Sequence, residues 1–253
     1  MHPVVGLLLF LGTLLYAYAE ALVKLLLPAR RKAVRGELVL VTGAARGLGR
    51  ATAREFARLQ SRLVLWDVEA HGLKETATEC EGLGATVHTF VVDCSKREEI
   101  YSTAEKVKKD IGDISILVNN AGVITAADLL STQDHQIEKM FEVNILAHIW
   151  TTRAFLPTMM KNNRGHIVTV ASAAGQFVTS FMVAYWLGKI LEVDEVVKAL
   201  MEGILTNQKM VFVPPQLSFA LFSEMLIPER ASNVLKKLTD VKFDAVVGHG
   251  SNQ

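Results

Sequence analysis

"ELVLVTGAARGLGRATAREFARL", residues 37–59, decides the fold. Its first seven residues form a short β-branched run ending in glycine, the pattern of a buried strand. Apolar positions then recur at helical spacing through "GRATAREFARLQS". Between strand and helix stands "TGAARGLG", Thr42–Gly49. A glycine-rich turn there lets backbone approach a pyrophosphate, and the helix N-terminus favours the anion. Alone such a motif is weak; the strand before it and the helix after it supply the confirming context.

Downstream, strands and helices alternate. "RLVLWD" is a strand, "GLKETATECEGLG" a helix closed by glycine, and "TVHTFVVD" a third strand. "REEIYSTAEKVKKDIG" is a helix, "ISILVNNAG" a fourth strand, "HQIEKMFEVNILAHIWTTRAFLPTMM" one long helix and "GHIVTVAS" a fifth strand. This order predicts an α/β fold of the Rossmann type, a doubly wound parallel sheet covered on both faces. From Val193 to Leu205 apolar residues keep an i, i+3, i+4, i+7 rhythm. "KMVFVP" reads as one more strand, stopped by Pro214 and Pro215. "QLSFALFSEMLIPERASNVLKKL" reads as apolar helix, turn and basic helix; its apolar run suits either core packing or a membrane.

Half of the 253 residues are apolar and 21% are charged, which suits a globular core. A net charge of +1 exerts no broad pull on nucleic acid. The two cysteines, Cys80 and Cys94, have no metal-type spacing, so neither a metal site nor a disulfide framework is expected. The N-terminus differs in kind. "VVGLLLFLGTLLYAYA", Val4–Ala19, is uncharged, and Arg30, Arg31, Lys32 and Arg35 follow a second apolar run. Ala17-Tyr18-Ala19 resembles a signal-peptidase site, but residues 1–3 offer no basic n-region. A membrane anchor explains more, spanning or lying in one leaflet, with the cations at lipid headgroups. Residues 1–35 are thus read as anchor and basic flank, and 36–253 as one catalytic-type domain.

Several residues along this framework carry chemistry. Asp67 ends the second strand, 18 residues after Gly49, where a carboxylate accepts from a ribose 2′-hydroxyl and repels a 2′-phosphate. That favours NAD. Arg46, inside the turn, argues the other way, since it can pair with a 2′-phosphate; Asp67 carries more weight. Asp93 ends the third strand within reach of an adenine amino group. Asn120, Ala121 and Gly122 of "NNAG" end the fourth strand with small residues beside the cofactor. Singly, each of these is an ordinary turn residue. Their order is what points to a site.

Together these residues resemble the short-chain dehydrogenase/reductase family over about residues 37–189. The motifs TGxxxGxG, the acid after the second strand, NNAG, a helix asparagine, a serine and YxxxK keep the family's order. "FEVNILAH", "GHIVTVASAAG" and "ILTNQKMVFVP" look closer still to its membrane-anchored 17β-hydroxysteroid dehydrogenase branch, types 11 and 13, and the related epidermal retinol dehydrogenases. The resemblance implies a catalytic set of Asn144, Ser172, Tyr185 and Lys189. It implies NAD held by Gly43, Arg46, Gly47, Leu48, Gly49, Asp67, Asp93, Asn120, Ala121, Gly122, Tyr185 and Lys189. Tyrosine would act as base toward an alcohol, its pKa of about 10 lowered by the lysine ammonium. Serine would fix the substrate oxygen, and asparagine would hold a water that relays the proton. The expected substrate is a lipophilic alcohol or ketone such as a steroid or retinol. The expected location is the endoplasmic reticulum membrane and lipid droplets, facing cytosol, and a homodimer is an open option.

The match breaks after Tyr185. In the family a long helix, a sixth strand and a threonine loop follow; here the chain passes through "WLGKILEVDEVV" straight to the next helix. Roughly 50 residues are missing by ordinary element lengths, so the C-terminal part of the sheet is expected to be incomplete. Lys189 reads as a coincidental lysine. A helix continuous from Tyr185 would still place the two at i, i+4 on one face. Trp186 and Leu187 in tight quarters, and Gly188 at about 1 kcal/mol against alanine, work against that. The alternative is a membrane-targeted, catalytically weak or inactive splice variant, or a sequence reading that lacks an exon.

Overall fold

The computed structural model describes residues 3–26, 31–125, 131–171 and 193–213. The elements are α1 (Pro3–Leu26), β1 (Leu38–Thr42), α2 (Gly47–Arg58), β2 (Arg62–Asp67), α3 (Ala70–Gly82), β3 (Val87–Val91), α4 (Arg97–Asp110) and β4 (Ile116–Asn119). After these come α5 (Asp134–Phe141), a π-turn (Glu142–Leu146), α6 (Ala147–Lys161), β5 (His166–Thr169) and α7 (Val193–Leu205).

The five strands run parallel in the order β3-β2-β1-β4-β5. Side chains alternate between the faces of each strand, and both faces are covered. Val39, Val41, Leu63, Leu65 and Val118 face one layer with Phe56 of α2, Leu73 of α3 and Met201 of α7. Leu38, Leu40, Val64, Trp66 and Leu117 face the other, with Ile100 of α4 and Phe155 of α6. The chain winds outward from β1 to β3, then crosses to β4 on β1's other side. That reversal leaves a crevice at the carboxyl ends of β1 and β4, where such sheets bind ligands.

Two expectations change. The long helix predicted from His135 is broken in hydrogen bonding by the π-turn, which inserts one extra residue per turn around Asn144. "KMVFVP" forms no strand as far as Val213. Val211 folds back against Gly203 of α7, where a Cβ would collide with it, so this segment packs on its own helix. The basic flank also has partners at α7. Arg31, still 66% exposed, pairs with Glu202 at 2.6 Å. The Lys32 amide donates to the Leu205 carbonyl, and its ammonium to Asn207. Val34 is buried against Val197, Met201 and Ile204. Burial pushes Lys32 below its usual range, partly offset by Glu37.

α1 forms as expected, and its residues 10–20 are all exposed, among them Phe10, Leu15, Tyr16 and Tyr18. Counting only described residues, no helix is long and apolar enough to cross a membrane. The helix is therefore observed, and its insertion is taken up below. The apolar run after Pro215 lies outside the described residues.

If burial rather than ion pairing holds the flank on α7, two substitutions will separate the effects. Val34→Ala removes two buried methylene equivalents and should cost about 2 kcal/mol. Arg31→Ala removes a solvent-screened pair and should cost less than about 1 kcal/mol. Urea unfolding of the two variants checks the order; equal costs would show that the ion pair carries the contact.

Candidate active site

The glycine turn is held shut by hydrogen bonds from the end of β4. Asn120 Nδ2 donates to the carbonyls of Thr42 at 2.9 Å and Gly43 at 3.2 Å. The Thr42 hydroxyl accepts from the amides of Asn120 and Ala121, each at 3.0 Å, and donates to the Val118 carbonyl. Asn120, expected beside the cofactor, is first a clamp on the loop that would carry it. Gly43 and Gly49 are glycines because the clamp leaves no room. A Cβ on Gly43, at φ +67°, would lie 2.8 Å from Ala121 Cα. One on Gly49 would strike the Gly43 carbonyl and sit 2.6 Å from Asn120 Nδ2.

Gly47 differs: its φ is +52°, and nothing lies within 4 Å of where its Cβ would be. It opens α2 after an extended Arg46 that offers no side-chain cap. The first amides of α2 therefore lack a side-chain acceptor, which suits a phosphate. Leu48 contributes only its backbone there, since its side chain packs against the core. The residues present thus fit a pyrophosphate on the α2 N-terminus.

Asp67 has both oxygens engaged: Oδ2 accepts from the Ala45 amide and Oδ1 from the Glu69 amide, each at 2.9 Å. It braces the turn and still offers lone pairs to a ribose hydroxyl. Glu69, which the sequence reading passed over, caps α3 by accepting from the amides of His71 and Gly72. Two carboxylates therefore guard the corner where a 2′-phosphate would sit. Arg46 is exposed and makes no side-chain contact among the described residues. Arg50, also passed over, is spent on the Ala45 carbonyl and on Glu75.

At the end of β3, Asp93 Oδ1 accepts from the Ser95 amide at 3.0 Å and hydroxyl at 2.7 Å. Lys139 of α5 reaches both oxygens, at 3.3 and 3.2 Å. Burial alone would push this carboxyl up; the bonds from Ser95 and Lys139 outweigh it and hold Asp93 below the usual carboxylate range. The adjacent Cys94 thiol is pushed up to about 12 by burial, and Cys80 to about 11, so neither is a nucleophile at neutral pH. Among the described residues no cluster of metal-ligating side chains occurs.

Asn144 sits in the π-turn and pairs with one residue of the opposite strand end. Its Oδ1 accepts from the Val123 amide and its Nδ2 donates to the Val123 carbonyl, both at 2.8 Å. The amide is thus a two-point brace on the segment after Gly122, with one N–H and one oxygen lone pair left over. Below it, buried Asn119 accepts from Thr151 at 2.7 Å, and His148 contacts the Ala121 carbonyl. These contacts tie β4 to α6; helix spacing brings 148 and 151 to one face, but no motif marked them. β5 ends at Thr169, two residues before the described chain breaks off at 171. Ser172, Tyr185 and Lys189 lie outside the described residues.

A family model described as short chain dehydrogenase matches residues 37–201. Estradiol 17-beta-dehydrogenase 11 of Pongo abelii is 52% identical over 295 aligned positions, covering 98% of each chain. 17-beta-hydroxysteroid dehydrogenase 13 of Homo sapiens is 46% identical over 295 positions, again 98% of each. The alignment exceeds this chain's 253 residues, so at least 42 of its 295 positions hold no residue of this protein. Among solved structures, a metagenomic short-chain oxidoreductase in complex with NADP superposes with a TM-score of 0.57 at 30% identity, covering 68% of this chain and 77% of that one.

The clamp makes unequal demands on its glycines. Asn120→Ala strands two carbonyls and should cost on the order of 1–3 kcal/mol. Gly49→Ala overpacks the turn by a similar amount, about 1–3 kcal/mol. Gly47→Ala meets no atom, and its left-handed backbone limits the cost to about 1–2 kcal/mol. Denaturant midpoints of the three variants check this; a Gly49→Ala protein as stable as the parent would show that the turn is not closed by Asn120.

Proposed function

The chain belongs to the short-chain dehydrogenase family, a family of oxidoreductases, and from that premise we propose that it binds NAD and oxidises a lipophilic, steroid-like alcohol at a membrane surface. The observation that carries this is the uncapped N-terminus of α2 at Gly47, with Asp67 and Glu69 beside it. When bound, NAD supplies the hydride acceptor. The first amides of α2 hold its pyrophosphate. Asp67 takes the ribose hydroxyl, and with Glu69 it disfavours a 2′-phosphate, although the solved relative described above holds NADP. The steroid class comes from the names of the relatives; retinol and other lipid alcohols share the long apolar body and single hydroxyl.

Ser172, Tyr185 and Lys189 take their roles from the sequence match: Ser172 orients the alcohol, Tyr185 removes its proton and Lys189 lowers the tyrosine's pKa. Asn144, braced on Val123, keeps one N–H and one oxygen lone pair with which to hold a relay water. α1 is the anchor: exposed apolar side chains on all sides suit lipid. We read its site as endoplasmic reticulum and lipid droplet, with the domain facing cytosol and no requirement for a dimer.

A second reading rests on the alignment positions with no residue here. Placed after Tyr185, that gap removes the helix body and threonine loop that shape the substrate end. NAD binding then persists while turnover falls far below that of a full-length relative. Purified protein with NADH, NADPH and a panel of steroid and retinoid alcohols tests both readings. Both readings expect NADH to quench fluorescence at least tenfold more tightly than NADPH; the second adds little turnover and no further loss in Lys189→Ala. Turnover matching a full-length relative and abolished by Lys189→Ala would show the coincidental lysine at work. Tighter NADPH binding would overturn the cofactor choice.

The anchor has its own test. Residues 1–35 fused to a fluorescent reporter should reach endoplasmic reticulum and lipid droplets. A reporter left in cytosol, or secreted after cleavage near Ala19, rejects the anchor. Since Arg31 and Lys32 are bound to α7 in the intact protein, Arg31→Ala should leave targeting of the full chain unchanged.

A further inference from the structure

We propose that Lys139 is a positioning residue for the adenine end of the dinucleotide: it holds Asp93 with one oxygen free to accept the adenine amino N–H. The inference rests on the NAD reading above. Asp93 Oδ1 already receives three donors, the Ser95 amide, the Ser95 hydroxyl and Lys139. Oδ2 receives Lys139 alone, at 3.2 Å. A carboxylate oxygen accepts about two hydrogen bonds, so the open lone pair lies on Oδ2. The Asp93 amide is itself anchored, donating to Glu99 at 2.9 Å. The carboxylate therefore has a fixed direction rather than a rotating one.

Lys139 comes from a distant part of the chain. It lies on α5, five residues before Asn144, whereas Asp93 lies two residues beyond the edge strand β3. The bridge ties the loop before α4 to the helix that carries the Val123 brace. A lysine placed only for solubility would not touch both carboxylate oxygens and Ser95. As a stability device the pair is poor, because the lysine is 45% exposed and water screens it. Its worth lies in direction: the ammonium orients the acceptor and keeps it charged.

The test compares NADH with reduced nicotinamide hypoxanthine dinucleotide, in which a ring carbonyl replaces the adenine amino group. The exchange removes the donor that Asp93 would read and turns ring N1 from an acceptor into an N–H donor. The full chain in detergent micelles is titrated by fluorescence as parent, Lys139→Met and Lys139→Arg, with thermal melts as a folding control. The parent should prefer NADH about tenfold, the scale of one hydrogen bond to a charged group. Lys139→Met should bring the preference within about twofold while leaving hypoxanthine-dinucleotide affinity nearly unchanged, and Lys139→Arg should restore most of it. Undiminished preference in Lys139→Met overturns the inference. Equal weakening toward both dinucleotides overturns it too, because that marks a merely structural lysine. A parent that binds both dinucleotides equally refutes the adenine contact while sparing the NAD reading. A parent that binds neither removes the NAD reading and this inference with it.

Discussion

Everything at the candidate site depends on the β1–α2 turn being closed onto the end of β4. The turn must bend through a left-handed residue, pass under a helix N-terminus and leave that end open. Asn120 does this by satisfying the Thr42 and Gly43 carbonyls that the bend exposes, and the Thr42 hydroxyl by accepting from the amides of Asn120 and Ala121. Unpaired, those carbonyls would cost on the order of 1–3 kcal/mol each. Paired, they let Gly43 and Gly49 sit at contact distances that no side chain tolerates. The same closure joins β1 to β4, the two strands that flank the crevice. Strand pairing, phosphate access and the placement of Asp67 beside Ala45 are thus one arrangement.

Much of this was legible in the sequence. A β-branched run, three glycines and an amphipathic helix leave few folds open, and the later strands followed from the same alternation. What escaped were side chains whose partners are remote in the chain. Asn120 looked like a small polar neighbour of the cofactor, because nothing in "NNAG" tells that its amide reaches back 78 residues to Thr42. Asn144 was read only as a water ligand; its brace on Val123 depends on a π-turn that has no sequence mark. Glu69, Arg50 and Lys139 look like ordinary surface charges until the loop geometry gives them acceptors and donors.

One misreading has a plain cause. "KMVFVP" was assigned to a strand by local pattern and instead packs on α7. The basic flank, assigned to lipid headgroups, also makes contacts with α7. Local pattern gives a segment's preference; the surface nearest to it decides the outcome. A strand needs a ladder partner, and no described strand pairs with the far side of β5.

α7 also explains how a shortened chain keeps its nucleotide half. The helix lies beyond the break in sequence, yet the residues it buries against all precede the break. Val197, Met201 and Ile204 share one cluster with Val34, Ala53, Phe56 and Ala57. The flank after α1 closes over its end through Lys32 and Arg31. Removal of a substrate loop between β5 and α7 leaves this seat intact, so the helix docks on α2 from a shorter tether. Shortening a tether changes loop entropy only slowly with length, whereas the buried side chains bring several kcal/mol, at about 1.5–3 kcal/mol each. The helix that opens toward the phosphate is thereby backed by α7, and the flank after α1 closes over the same support.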